Sequence, residues 1–260
     1  MSQASFLEYR NVSVAFGDYV AVEGVNLKVA EGAFVSLVGP TGCGKSTLLN
    51  VAAGLLAPSQ GEVLLEGKPL RGLNPVAGYL FQQDAILPWK TALDNVALPL
   101  VFRGTSWPEA RARAQAWLEK VGLGRFPRHY PHQLSGGMRK RVGLAQVLIA
   151  GPRLLLMDEP FSALDVQTRQ LMENELLRLW QEDRKTVVFV THDLEEAIAL
   201  ADRVVVMSAG PRSRPIGDFP IPLPRPRDVA EIRLTAEFLR LHREIWELLR
   251  GEVMRAHAGA

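Results

Sequence analysis

The first part of the chain alternates short apolar runs with glycines, and the remainder alternates apolar strands with helical stretches. Residues 6–14 alternate imperfectly and predict a first strand. Val20-Ala21-Val22 and Val25-Asn26-Leu27-Lys28-Val29 predict two further strands separated by glycine turns. Ala33-Phe34-Val35-Ser36-Leu37-Val38 predicts a buried strand, with Ser46-Thr47-Leu48-Leu49-Asn50-Val51 as a helix behind it. Residues 153–160 predict a buried strand ending in two carboxylates, and residues 187–193 a strand with a histidine at its end. Antiparallel-looking strands followed by strand–helix alternation imply an α/β fold, a mixed sheet with a parallel core.

Residues 84–151 predict a helical region. Its clearest helix starts at Thr105 or Ser106 as N-cap, carries Pro108 and Glu109 in its first turn, and stops at Gly122. Ala110, Ala114, Trp117, Leu118 and Val121 form its buried stripe, with Trp117 as core. A further helical stretch covers residues 139–150. Residues 1–210 are expected as one domain, and residues 211–260 as a proline-rich linker and a last helix. The prolines of residues 220–226 exclude a helix or central strand and predict an extended path over the surface. Leu234, Phe238, Leu241, Ile245 and Leu248 form one apolar stripe, opposite Glu237, Arg240, Glu244 and Glu247. A helix this short is marginal alone, so the stripe is expected to pack on the chain's own body.

With 260 residues, 47% of them apolar, the chain has ample core material, and disorder is excluded. The net charge of +2, without a dense Lys/Arg run, gives no reason to expect a nucleic-acid partner. No stretch approaches the ~18–20 apolar residues of a membrane span, and the N-terminus has no basic start with an apolar core. Cys43 is the single cysteine, in keeping with a reducing compartment. The expected location is therefore cytoplasmic, with any membrane role supplied by a partner.

The candidate chemistry begins at Gly39-Pro40-Thr41-Gly42-Cys43-Gly44-Lys45-Ser46-Thr47, which fits G-x-x-x-x-G-K-[ST] between a strand and a helix. Glycines let consecutive backbone N–H groups turn inward around a phosphate, and the helix N-terminus adds positive potential. Lys45 would reach the β- and γ-phosphates, and the Ser46 hydroxyl would ligate Mg²⁺. A glycine-rich turn without a ligand is the plainer alternative, weakened by these flanks. Nearby Lys45 and the helix N-terminus would favour a Cys43 thiolate, whose alkylation would block the nucleotide. Leu134-Ser135-Gly136-Gly137-Met138 offers a second anion site, where a serine hydroxyl, glycine N–H groups and a helix start converge.

These segments, with Gln82 in Leu80-Phe81-Gln82-Gln83-Asp84, Asp158-Glu159, Ser162-Ala163-Leu164-Asp165 and Thr191-His192-Asp193, follow one another in a fixed order. The set resembles the ATP-binding cassette (ABC) family over roughly the first 210 residues: Walker A, Q-loop, signature, Walker B with its glutamate, D-loop and H-loop. The resemblance implies a P-loop ATPase domain with an antiparallel β subdomain and a helical signature subdomain. It implies that Phe16 stacks on adenine, with Tyr19 as a rival, and that Gln82, rather than Gln83, reaches Mg²⁺ or the attacking water. It gives Asp158 to the Mg²⁺ shell, Glu159 to the water, and His192 to the γ-phosphate. Ser135, Gly136 and Gly137 would cover ATP held by a second copy in a head-to-tail dimer, with Asp165 crossing the same interface. Met138 stands where many relatives carry glutamine, and residues 143–148 depart from the commoner arginine-containing helix.

The run Ile86-Leu87-Pro88-Trp89-Lys90-Thr91, the Met138 signature and the tail are similar to ATPase subunits of bacterial nitrate, sulfonate, taurine and bicarbonate importers. Partners implied are permease subunits docking near Pro88 and Trp89 and, indirectly, a substrate-binding protein. Alternatives are a soluble cassette ATPase, which should carry a coiled-coil insertion or second cassette, and a nucleotide-sensing module, which should lack Glu159.

Overall fold

Alternating side chains divide the apolar residues between two clusters, one on each face of a central sheet. The computed structural model describes residues 5–258. Its strands are β1 (Ser5–Phe16), β2 (Tyr19–Ala30), β3 (Phe34–Val38), β4 (Gln60–Leu65), β5 (Lys68–Pro69), β6 (Ala77–Leu80), β7 (Leu154–Asp158), β8 (Thr186–Val190), β9 (Arg203–Met207) and β10 (Pro215–Pro220). Its helices are α1 (Lys45–Ala53), α2 (Ala92–Phe102), α3 (Trp107–Lys120), α4 (Gly136–Leu148), α5 (Val166–Asp183), α6 (Leu194–Leu200), α7 (Val229–Ile232) and α8 (Ala236–Ala258).

The central sheet has the order β10-β9-β3-β8-β7-β6, parallel throughout except for antiparallel β10. A separate antiparallel sheet runs β2-β1-β4-β5. Val35, Leu37, Leu154, Leu156, Val188 and Val190 face this second sheet and α1. Phe34, Val38, Leu155, Met157, Val187 and Phe189 face the helices. This is the expected α/β architecture with a mixed sheet. It places the C-terminal ends of β3, β7 and β8, where the phosphate loop, the carboxylates and the histidine follow, on one edge of the molecule.

Several local expectations are corrected. Residues 19–30 form one strand, not two: Gly24, at φ 60°, sits in a register shift between Val12↔Val25 and Val14↔Val22. It bulges the strand instead of turning the chain. Helix α4 starts three residues earlier than expected, because the Ser135 side chain caps it by accepting from the Met138 N–H. Ser106 precedes α3 without a side-chain cap bond, and Trp117 is half-buried, with the Lys120 ammonium 4.9 Å from its ring centre.

The proline-rich segment is not a surface linker. Residues 215–220 form the edge strand β10, where prolines at both strand ends interrupt little of the ladder. Ile221 and Leu223 then turn into the core. Arg227 is buried too, and its guanidinium donates to carbonyls of Ala199, Ala201 and Leu223 at 2.7–3.1 Å. The last helix packs on α6, β9 and β10 as expected, but with a shifted stripe. Phe238, Leu241, Ile245 and Leu249 are buried, Leu248 only partly, and Leu234 is 77% exposed because it precedes the helix. Spacings of 3, 4 and 4 follow the 3.6-residue turn of a straight helix, so the last buried position falls at Leu249 rather than at the expected Leu248.

Candidate functional site

The chain leaves β3 at Val38, turns through residues 39–44, and enters α1 at Lys45. Gly44 makes that entry at φ 92°, and a Cβ there would lie 2.5 Å from Val22 Cγ1, so only glycine fits. Thr41, Gly42, Gly44, Lys45, Ser46 and Thr47 form one wall of a cleft of about 520 Å³. Phe16 and Tyr19, both about half exposed, stand at its mouth, and Gln82, Glu159 and His192 close its far side. Both aromatic residues face the cleft, so the geometry leaves the choice of stacking residue open.

Gly39, Pro40 and Cys43 are not part of the cleft wall. The Lys45 ammonium folds over the loop and donates to the carbonyls of Gly39 at 2.8 Å and Pro40 at 2.9 Å. Cys43 is fully buried among the β-side apolar residues, and burial pushes its thiol pKa up, with Lys45 only partly opposing. That corrects the expected thiolate: desolvation outweighs the nearby charge.

At the end of β7, Asp158 Oδ1 accepts a 2.8 Å hydrogen bond from Ser46 Oγ. Burial raises the Asp158 pKa, the Ser46 hydrogen bond partly opposing. Asp158 Oδ2 lies 3.4 Å from the Tyr79 hydroxyl, which also donates to Asn50 Oδ1 at 3.1 Å and whose ring stacks on Phe81. Tyr79 orients the carboxylate from behind, and sequence reasoning missed it. Its only sequence signal is an aromatic residue three positions before Gln82. Among the described residues no three His, Cys, Asp or Glu side chains converge as a metal cage. One hydroxyl and one carboxylate do suit an ion that keeps most of its shell from water and phosphate oxygens, as Mg²⁺ does.

Glu159 follows in the left-handed region at φ 43°, a strained conformation costing about 1–2 kcal/mol. Its N–H donates to Val190 O at 2.9 Å, and its carbonyl accepts from Ser162 Oγ at 3.0 Å, which fixes the turn. The turn aims the carboxylate into the cleft. There Oε2 meets Gln82 Nε2 at 3.4 Å and His192 Nδ1 at 3.2 Å. Gln83 is directed to a different hollow. The histidine's setting is fixed at β8 by Thr191, whose hydroxyl accepts from the Asp193 N–H at 3.0 Å and donates to buried Glu196.

The structure does not bring the signature to this cleft. Ser135, Gly136 and Gly137 open α4 elsewhere, next to a groove of about 380 Å³ with Gly136, Arg139, Lys140 and residues 162–164 in its wall. A Cβ on Gly137 would lie 2.6 Å from Thr168 Cγ2, so the start of α4 packs closely against α5. Asp165 is exposed and caps α5 through Thr168 N, whose hydrogen bond lowers its pKa. Pro88 is exposed and Trp89 is 70% exposed, which rules out ordinary packing for that indole.

A strand–glycine loop–helix facing a strand that ends in two carboxylates defines a P-loop nucleotide-hydrolysing enzyme. Residues 22–162 match the ABC transporter family, and the chain belongs to that family as an ABC-type ATPase. An uncharacterized ABC transporter ATP-binding protein of Methanocaldococcus jannaschii is 46% identical over 237 residues, 91% of this chain and 86% of that one. The nitrate import ATP-binding protein NrtD of Synechococcus elongatus is 42% identical over 251 residues, 94% of this chain and 91% of its own. The bicarbonate transport ATP-binding protein CmpC of Synechocystis sp. is 43% identical over 231 residues, 88% of this chain but 35% of that longer protein. Among solved structures, a dimeric bacterial ABC transporter cassette has TM-score 0.73 and 36% identity, over 83% of this chain and 98% of that one. A post-hydrolysis dimer of that cassette, bound to ADP and phosphate, matches equally well.

Proposed function

We propose that this ATPase powers an importer of a small oxoanion such as nitrate, a sulfonate, taurine or bicarbonate. Two copies would associate head to tail at the inner face of the membrane, docked on permease subunits fed by a substrate-binding protein. The observation that carries the hydrolytic mechanism is the convergence of Gln82 and His192 on one oxygen of Glu159, beside the Ser46–Asp158 pair. The importer class rests on the nitrate and bicarbonate relatives, and the docking surface on exposed Trp89 beside Pro88. Among the described residues no helix is long and apolar enough to cross a membrane.

Phe16 or Tyr19 would stack on adenine, while the loop N–H groups and Lys45 hold the phosphates. Ser46 and Asp158, with Gln82, would hold Mg²⁺, which supplies charge neutralisation on the phosphate oxygens. Glu159 would orient the attacking water and take its proton as the new O–P bond to the γ-phosphorus forms and the bond to ADP breaks, releasing ADP and phosphate. His192 fixes the Glu159 carboxylate and reaches toward the γ-phosphate. Ser135, Gly136 and Gly137 cover the nucleotide of the second copy, since within one chain they stand apart from the cleft.

Glu159→Gln keeps the shape and removes the charge that orients water. Multiple turnover should be lost while ATP binding persists, and wild-type turnover in that variant would sink the assignment. Mixing Ser135→Arg chains with Lys45→Ala chains should restore one composite site per heterodimer. With permease and binding protein in vesicles, nitrate, taurine, a sulfonate or bicarbonate should stimulate hydrolysis; no stimulation by any of them would remove the anion class.

A further inference from the structure

The signature helix and the Q-loop are joined by a buried lysine. Lys140 lies on α4, one turn beyond the glycines that open it, and is only 6% exposed. Its ammonium donates to the Gln82 carbonyl at 2.7 Å and pairs with Asp84 Oδ1 at 3.0 Å. Asp84 Oδ2 accepts from Arg139 Nε at 3.0 Å, and Arg139 Nη1 donates to Leu134 O at 2.8 Å. Residues 82–84 are thereby tied to the first turns of α4 and to the residue before Ser135. The Gln82 side chain itself remains exposed, with its amide 3.4 Å from Glu159.

Burying an ammonium costs several kcal/mol unless it is fully paired, and an apolar side chain would fill the same space more cheaply. The charge therefore serves a geometric purpose. We propose that Lys140 is a positioning residue that pins the Q-loop backbone to the signature helix, so that Gln82 follows the movement of α4 relative to Glu159. Gln82 is held to α4 by its carbonyl while its amide meets Glu159 at 3.4 Å, which makes it a short lever between the two. In a head-to-tail dimer the signature covers the nucleotide of the other copy. Lys140 then connects the two ATP sites through a single chain. This inference rests on the reading that Gln82 and Glu159 serve hydrolysis and deepens it.

Lys140→Met retains length and suits a buried position while deleting the charge. Its melting curve and its nucleotide affinity should match the wild type. The kcat for ATP should fall about tenfold with KM little changed, within the range by which residues linking two sites alter coupling. The Hill coefficient in ATP should fall toward one. Because Lys140 acts through Gln82, adding Lys140→Met to Gln82→Ala should cause no further loss, whereas a purely structural defect would add. Asp84→Asn weakens the same clamp from its more exposed side and substitutes for Lys140→Met should that variant fail to fold. A folded Lys140→Met enzyme with wild-type kcat and cooperativity, or losses that add fully to those of Gln82→Ala, would overturn the proposal. Full turnover in Glu159→Gln would instead overturn the underlying reading of the site, whatever Lys140 does.

Discussion

Arg227 offers the sharpest test of how the tail supports the site. Its guanidinium is buried and donates to Ala201 O at 2.7 Å, Leu223 O at 3.0 Å and Ala199 O at 3.1 Å, with weaker bonds to Ile221, Ile198 and Pro224. Three of these carbonyls belong to the end of α6, where a helix lacks internal donors and carries negative potential. Hydrogen bonds to a charged group contribute about 1.5–3 kcal/mol each, so the three shortest total roughly 5–9 kcal/mol. Against this stands the buried charge. Burial, with repulsion from Arg225 second, pushes the Arg227 pKa down to about 10, a cost of about 3 kcal/mol. Removing this buried, multiply bonded group leaves the α6 carbonyls without their donors, so Arg227→Met should destabilise by about 3 kcal/mol. For a chain of this size that lowers the melting temperature by roughly 6–12 °C, readable by calorimetry. Arg227→Lys should recover only part, because one ammonium cannot span carbonyls on two segments. Since α6 follows His192 directly, kcat should fall with nucleotide affinity retained. A wild-type melting temperature for Arg227→Met would refute the reasoning.

Two further outcomes follow from burial. Native protein should react slowly with a maleimide at Cys43 and rapidly only in denaturant, because the thiol is enclosed and its pKa raised; fast stoichiometric labelling of native protein would contradict the structure. Burial raises the Glu196 pKa from 4.5 to about 8, with Glu173 and Asp193 adding to the shift and Thr191 and Arg169 opposing it. A carboxyl raised in the folded state stabilises fully below pH 4.5 and loses that contribution as pH rises through about 8. Glu196→Gln should therefore flatten the decline of melting temperature across this window, and an unchanged slope would remove the assignment.

Much of this was legible in the sequence because the information is local. A strand, a glycine loop with Lys45 and Ser46, and a helix occupy a few consecutive residues, and the apolar runs ending at Asp158 and His192 report their own burial. Phe238, Leu241 and Ile245 were readable from periodicity alone. What escaped depends on segments distant in sequence. Tyr79 acquires meaning only where β6 lies beside β7, and Lys140 only where α4 approaches the Q-loop. The left-handed Glu159 is set by the Val190 carbonyl and by Ser162, which nothing in a single carboxylate reveals. The proline-rich segment misled because prolines exclude a central strand but not the sheet edge that β10 occupies.

The arrangement around Glu159 explains why so few contacts within one chain reach its carboxylate. Three separately anchored segments meet there. The turn after β7 aims the carboxylate, Lys140 and Asp84 hold the Q-loop that carries Gln82, and α6 follows the loop that carries His192. The third anchor is reinforced from the tail: Arg225 and Arg227 cap the C-terminal end of α6, and Arg233 pairs with Glu173 on α5. The reach of 3.2–3.4 Å at Glu159 is long for bonds to a carboxylate. Long contacts held by rigid flanks describe a site close to its working geometry but not locked into it. Closing those last tenths of an ångström requires movement of α4 or α6, not of Glu159, whose backbone is fixed. In the proposed head-to-tail dimer a second copy seated on the signature would push on α4, and the Lys140 clamp would carry that movement to the Q-loop.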